Sequence, residues 1–129
     1  MQNGKPSDFK DLEDLNIRIG VAESTRDQQS YEWLAGVIAP ELAFQRANPE
    51  KTINDRGEFL KLIKPLKPDD PNPGSRETKV ESIEIYGDRA VVACVVTFGG
   101  NKYHNLRLFV RRENQWRLLG WANEDYDAK

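Results

Sequence analysis

The sequence contains one cysteine, one histidine and no long apolar run, and each shortage excludes a class of protein. Cys94 cannot form an internal disulfide, and Cys94 with His104 provides too few ligands for a common zinc site. No apolar stretch approaches the length of a membrane span, and the charged opening segment lacks the features of a signal peptide. The sequence therefore predicts a cytoplasmic protein with no membrane partner, no metal and no cofactor.

Basic stripes and common catalytic motifs are also missing. The chain has 19 Lys and Arg against 21 Asp and Glu, for a net charge of −2, which argues against a nucleic-acid partner. Gly99 and Gly100 belong to a predicted hairpin turn, so they cannot form a phosphate loop before a helix. No G-x-S-x-G sequence is present to hold a serine nucleophile.

Apolar residues in the first half of the chain recur with helical spacing. Ser7 is the predicted cap of a first helix that runs to about Gln29, and a second helix ends before Pro40. Residues 41–47 alternate between apolar and polar side chains, which predicts a strand. Asp55 and Glu58 have the spacing of a capping box, which predicts a short third helix.

The second half changes to the period of strands. Turn signals at 87–88, 99–101 and 113–114 divide the chain from residue 78 onward into four antiparallel strands. These elements predict an α+β fold in which N-terminal helices pack on a strongly curved antiparallel sheet, in the order α-α-β-α-β-β-β-β. We expect residues 1–6 to be a flexible tail and residues 7–129 to form a single domain.

The turns also predict which strand residues share a face. A tip at Gly100-Asn101 sets Thr97 opposite His104, and a tip at Glu113-Asn114 sets His104 opposite Asn123 and Leu106 opposite Trp121. We interpret this face as the ligand side, with Thr97, His104 and Asn123 in one polar row. His104 is the candidate acid or base, because imidazole titrates near neutral pH. The alternative is that this row is only the solvated rim of the sheet.

The opposite face is also strongly apolar, and it carries Val92, Cys94, Phe109 and Leu118. Three helices can cover only one face, so we interpret this second face, with Tyr103 and Arg107, as a homodimer surface at the back of the sheet. The alternative is a sheet that curls enough to cover its own second face.

Arg46 and three aromatic residues complete the candidate site. Arg46 and Phe44 share one face of the first predicted strand, where an arginine could bind a carboxylate or phosphate. The alternative for Arg46 is an ion pair with Glu84. Trp33 and Trp121 could form pocket walls or simply belong to the core.

Three stretches resemble the nuclear transport factor 2-like superfamily, within its SnoaL-like and ketosteroid-isomerase-like group of bacterial proteins of unknown function. They are IAPELAFQRANPEKTINDRGEFLKLI at 38–63, VESIEIYGDRAVVACVV at 80–96 and LRLFVRRENQWRLLGWANE at 106–124. The resemblance implies a cystatin-like cone with a pocket between helices and concave sheet, commonly dimeric through the sheet. It also implies that Leu119, Trp121 and Asn123 line that pocket.

The same resemblance argues against steroid isomerase activity. The carboxylate base of those enzymes corresponds here to Arg46 or its neighbour, and their acidic oxyanion donor falls near Leu106. Three functions remain open, since this fold has many. They are binding of a small organic, possibly anionic, ligand; a lyase or isomerase that uses His104; and a non-catalytic dimerisation module.

Overall fold

The computed structural model describes residues 5–47, 52–71 and 74–128. These residues form three helices and a mixed sheet of six strands, an α+β architecture. The helices are α1 (Pro6–Thr25), α2 (Gln28–Val37) and α3 (Arg56–Leu62). The strands are β1 (Ile38–Gln45), β2 (Asn54–Asp55), β3 (Arg76–Tyr86), β4 (Arg89–Phe98), β5 (Asn101–Arg112) and β6 (Gln115–Asp125). None of the described helices is both long enough and apolar enough to span a membrane.

Helix α1 begins two residues earlier than a cap at Ser7 predicts, because Lys5 occupies the capping position and Pro6 the first helical position. The first backbone N–H groups of a helix have no partner within the helix. Proline suits this position because it has no backbone N–H. The backbone N–H of Lys5 donates to Asp8 Oδ2 at 3.1 Å, and the backbone N–H of Asp8 donates to the Lys5 carbonyl oxygen at 2.9 Å. Of the predicted tail, residues 1–4 lie outside the described residues.

Helix α1 ends earlier than predicted, at Thr25. Arg26 adopts a left-handed conformation, with φ of 51°, and this turns the chain into α2. The Asp27 side chain then caps α2 by accepting from the Ser30 backbone N–H at 2.7 Å. The capping box predicted at the third helix is confirmed, since Asp55 and Glu58 each bind the other's backbone N–H.

The sheet has the strand order β2-β1-β6-β5-β4-β3. The predicted antiparallel meander of β3, β4, β5 and β6 is confirmed. Strand β1 departs from an all-antiparallel sheet, because it pairs parallel to β6 with Phe44 beside Trp121. Strand β1 therefore joins the end of the meander and brings the first half of the chain to its last strand.

The first two hairpins keep the predicted faces. Ile85 pairs with Ala90 as predicted. The second turn lies at Gly99 and Gly100, whose φ values of 60° and 80° suit a two-residue turn. Thr97 consequently pairs with Lys102, and the register predicted between Thr97 and His104 is wrong. Because the error is two residues, Thr97 and His104 still point to the same side.

The third hairpin contains a bulge that reverses the predicted faces. Next to the turn, Phe109 pairs with Leu118, as the predicted register requires, but Leu108 then pairs with Gly120. Leu119 is the extra residue. Beyond it, Asn123 lies opposite Asn105 instead of His104, and the predicted row of Thr97, His104 and Asn123 does not exist. A single inserted residue moves the rest of the strand to the other side.

The helices cover the face that we predicted to be the dimer surface. Its side chains are fully buried in the core; they include Ile85, Val92, Cys94, Phe109 and Leu118. The face predicted to bind ligand turns outward and leaves Val91, Leu106 and Leu108 41%, 54% and 48% exposed. The face assignment is therefore wrong, because both faces are apolar and sequence alone does not distinguish them.

Candidate functional site

A cavity of about 950 Å³ lies between the helices and the concave face of the sheet. It is lined by residues of α1, β1, α3, β3, β4, β5 and β6, so most of the fold contributes to it. Ligand pockets of drug-sized molecules have volumes of roughly 300–1,000 Å³. The cavity is therefore large enough for a small organic molecule.

Three aromatic rings form one wall of the cavity. Phe44 stacks on Trp121 with ring centroids 4.3 Å apart, and Phe59 meets Trp121 edge to face at 4.9 Å. Phe44 and Phe59 are nearly perpendicular, with centroids 5.8 Å apart. Trp121 is half-buried and also lines the cavity, so part of its ring is available to a ligand. This wall suits a flat apolar or aromatic group.

A chain of hydrogen-bonded polar side chains connects the lining of the cavity to α1. Arg107 is only 3% exposed, and it donates through Nε to Asn105 Oδ1 at 2.8 Å. Its Nη1 donates to Asn16 Oδ1 at 3.0 Å, and Asn16 in turn donates to the Leu12 carbonyl oxygen at 2.6 Å. Asn105 donates onward to Asn123 Oδ1. A buried network of this kind holds each amide and the guanidinium in one orientation.

Arg107 has donor capacity left over. Its Nε and Nη1 bind Asn105 and Asn16, whereas Nη2 makes no hydrogen bond to the described part of the chain. A guanidinium carries five N–H donors, so Arg107 can still donate to a further group. Arg107 also lines the cavity, so its remaining donor capacity lies beside the place where a ligand would bind.

Glu23 is an acidic group near enough to this arginine for the two charges to interact. It is half-buried near the C-terminal end of α1 and lines the cavity. Burial raises the pKa of the Glu23 carboxyl above its ordinary value, and the charges of Arg76 and Arg107 oppose this effect. Acids in clefts whose pKa is shifted by burial and by neighbouring charges are common at functional sites.

Cationic side chains outnumber acidic ones around the cavity. Among the described lining residues are four arginines and two acids: Arg26, Arg46, Arg76, Arg107, Glu23 and Asp125. The whole chain, by contrast, has a net charge of −2. A cleft of one sign with apolar walls concentrates ligands of the opposite sign. No group of three or more His, Cys, Asp and Glu in the described residues could hold a metal ion.

Four of the predicted site residues line the cavity: Phe44, Arg46, Trp121 and Asn123. Arg46 is exposed and lies at the rim. The ion pair considered for Arg46 is not formed, since the nearest described partner of the Glu84 carboxylate is the Tyr86 hydroxyl at 3.4 Å.

Three predicted residues do not line this cavity. Trp33 lies on α2, where the Arg18 guanidinium packs 4.1 Å from its ring centroid. Thr97 is half-buried on the outward face of β4. His104 is also on the outward side, where Nε2 contacts the Tyr126 carbonyl oxygen at 3.1 Å and the two rings stack at 5.0 Å.

The main polar residues of the cavity escaped the sequence prediction. Arg107 and Tyr103 were assigned to the opposite face because the wrong side of the meander was chosen. Asn16 and Glu23 did leave a signal, since they interrupt the apolar stripe of α1 at helical spacing from Leu12. A polar residue within a buried stripe needs a partner, and that requirement could have identified them.

The fold and its pocket define the nuclear transport factor 2-like class, and this assignment agrees with the resemblance noted in the sequence. The chain belongs to the family described as "Putative lumazine-binding", whose sequence model matches residues 25–121. No curated protein sequence matches the chain significantly.

Several solved structures have the same fold, and two of the following three are described as of unknown function. A nuclear transport factor 2-like protein from Silicibacter pomeroyi has a TM-score of 0.74 at 13% identity, over 94% of this chain and 98% of that one. A cystatin-like domain from Nostoc punctiforme has a TM-score of 0.73 at 12% identity, over 97% and 81%. A conserved protein from Planctomyces limnophilus has a TM-score of 0.70 at 17% identity, over 93% and 97%. At these identities the similarity establishes the fold alone.

Proposed function

We propose that the cavity binds a small organic ligand with an aromatic ring and an anionic or oxygen-rich edge. The observation that carries this proposal is the buried Arg107, which faces the cavity with an unused donor. The ring would contact Trp121 on the aromatic wall, while its oxygen atoms accept from Arg107. Asn123 lines the same cavity and adds a further polar contact.

The family description supports a small heteroaromatic ligand, because it names lumazine. Lumazine is a flat fused ring with carbonyl oxygens on one edge, and it matches both an aromatic wall and an arginine. The excess of arginines around the cavity supports the same class of ligand.

Titration of the protein with lumazine, followed by tryptophan fluorescence, tests the proposal. We expect saturable quenching, and we expect Arg107→Met to weaken binding at least tenfold, as the loss of one charged hydrogen bond of about 1.5–3 kcal/mol requires. Arg112→Met is the matched control, since Arg112 is on the same strand and pairs with Glu41 at 2.6 Å outside the cavity lining. Equal affinity of both variants would contradict the proposal.

A lyase or isomerase that uses His104 gains no support from the geometry. His104 is absent from the described lining of the cavity, and its ring is engaged with Tyr126. The binding function therefore explains more of the cavity than this enzyme does.

We also propose that the protein is a cytoplasmic homodimer that associates through the outward face of the sheet. Val91, Leu106 and Leu108 support this proposal, because large apolar side chains on one exposed face favour a partner. This surface is not the one that the sequence predicted for the dimer, because the residues predicted there are buried under the helices. Absence of nucleic-acid and membrane partners stays a prediction, as does a purely structural role as a dimerisation module.

A further inference from the structure

We propose that Glu23 and Arg107 together bind a ring amide, with Glu23 accepting from a ring N–H and Arg107 donating to the adjacent carbonyl oxygen. This inference rests on the proposed function and narrows its ligand to heterocycles that carry a lactam or imide edge. Glu23 would be the residue that distinguishes these rings from simple anions.

The Glu23 carboxylate has no hydrogen-bond donor of its own among the described residues. The two nearby arginines are bound elsewhere: Arg76 Nη1 donates to the Glu23 backbone carbonyl at 3.1 Å, and the Arg76 guanidinium packs 4.1 Å from the Phe98 ring centroid. Arg107 donates to Asn16 and Asn105. A half-buried carboxylate without a protein donor has acceptor capacity left for a ligand N–H.

Glu23 and Arg107 are close enough for the Arg107 charge to act on the Glu23 carboxyl. Both also line the same cavity. An acceptor beside a spare donor is the complement of an N–H beside a C=O, which is the edge that a lactam or imide presents.

Glu23 also selects against simpler ligands. Arginines alone would accept any carboxylate or phosphate of suitable size. A second carboxylate next to Glu23 would be repelled, whereas a neutral N–H would be attracted. The pair therefore favours a ring that offers both a donor and an acceptor over a plain organic acid.

Two probes separate this inference from the proposed function: lumazine, and 1,3-dimethyllumazine, in which methyl groups replace both N–H donors of the imide. Near neutral pH we expect the wild-type protein to bind lumazine at least tenfold more tightly than the dimethylated probe. Glu23→Met should weaken lumazine binding about tenfold and leave the dimethylated probe unchanged, so that the ratio falls to about one. Glu13→Met, at an exposed position of the same helix, should keep the wild-type ratio.

Each failure has its own meaning. Equal binding of both probes to the wild-type protein, which needs no variant to fold, would overturn the role of Glu23 and leave the proposed function standing. An unchanged preference for lumazine in Glu23→Met would trace the preference to methyl bulk and would also overturn it. Binding of neither probe would overturn the proposed function and this inference together.

Discussion

Both faces of the sheet carry large apolar side chains, but the two faces differ in their polar groups. On the concave face, the polar side chains of β5 are buried and joined to α1 and β6 through Arg107, Asn16 and Asn123. On the outward face, Leu106 and Leu108 are exposed, and His104 contacts Tyr126 near the C-terminal end of the described residues. Residues adjacent in the chain therefore have opposite environments.

This contrast indicates that polar residues identify the functional face of such a sheet better than apolar residues do. An apolar residue such as Leu108 is compatible with either core or surface, so it carries little information. Burial of a charged residue such as Arg107 costs desolvation free energy, which hydrogen-bond partners must offset. The polar residues of β5, rather than its apolar ones, identify the face with the site.

The most damaging change to the concave face should be Arg107→Met. It leaves Asn16 and Asn105 without their partner in a buried site, and we expect the free energy of unfolding to fall by about 3 kcal/mol. Urea denaturation measures this. Arg112→Met, which removes an exposed ion pair at the end of the same strand, should have little effect. Equal losses would mean that the buried network contributes no more than the surface pair.

Gly120→Ala, next to the bulge in β6, should lower the free energy of unfolding by a smaller amount. An added Cβ would lie 2.6 Å from the backbone oxygen of Ala43, which cannot rotate away, so the pairing of β1 with β6 must shift. We expect a cost of about 2 kcal/mol in urea denaturation. Gly36→Ala meets no atom within 4 Å in α2 and should instead stabilise by about 0.5–1 kcal/mol. A neutral Gly120→Ala would show that the strands can separate freely there.

Glu23→Gln should change stability only over part of the pH range. Burial raises the pKa of Glu23 from its ordinary 4.5, so above that pH the folded protein bears the cost of a buried charge. The variant should therefore have a higher Tm than wild type at neutral pH and above, and the difference should disappear as the pH falls below about 4.5. Thermal melts across the range measure it, and a pH-independent difference would be the contrary result.

The smallest effect on stability is expected from Leu106→Lys combined with Leu108→Lys on the outward face. Each substitution should change the free energy of unfolding by about 0.5 kcal/mol or less and leave lumazine binding intact. Sedimentation velocity should nevertheless show a monomer in place of the proposed dimer. Ile17→Lys, on the exposed side of α1, should leave the sedimentation coefficient unchanged. A wild-type protein that sediments as a monomer would refute the dimer directly.

Most of the fold was predictable because its signals are local. Helical spacing in α1 and α2, the capping box of Asp55 and Glu58, and three turn signals each act within a few residues. The left-handed Arg26 was not predictable, since arginine has no preference for that conformation, and it divides the first two helices. The parallel pairing of β1 with β6 depends on contacts that no local pattern records.

The site was predictable only in part. The face was chosen wrongly because Val91, Leu106 and Leu108 look like core, and this error moved Thr97 and His104 away from the cavity. The bulge at Leu119 was a second, independent error on β6, and for Trp121 and Asn123 the two errors cancelled, so both line the cavity. No residue type marks this bulge, and its position follows from how the sheet must bend.

The pairing of β1 with β6 also has a consequence for the order of folding. Phe44 and Trp121 belong to strands from opposite halves of the chain, whereas the hairpins of the meander close locally. Contacts between distant segments require closure of a long loop and form late. The aromatic wall of the cavity should therefore be completed in the last step of folding, and an intermediate with an intact meander would lack a binding site.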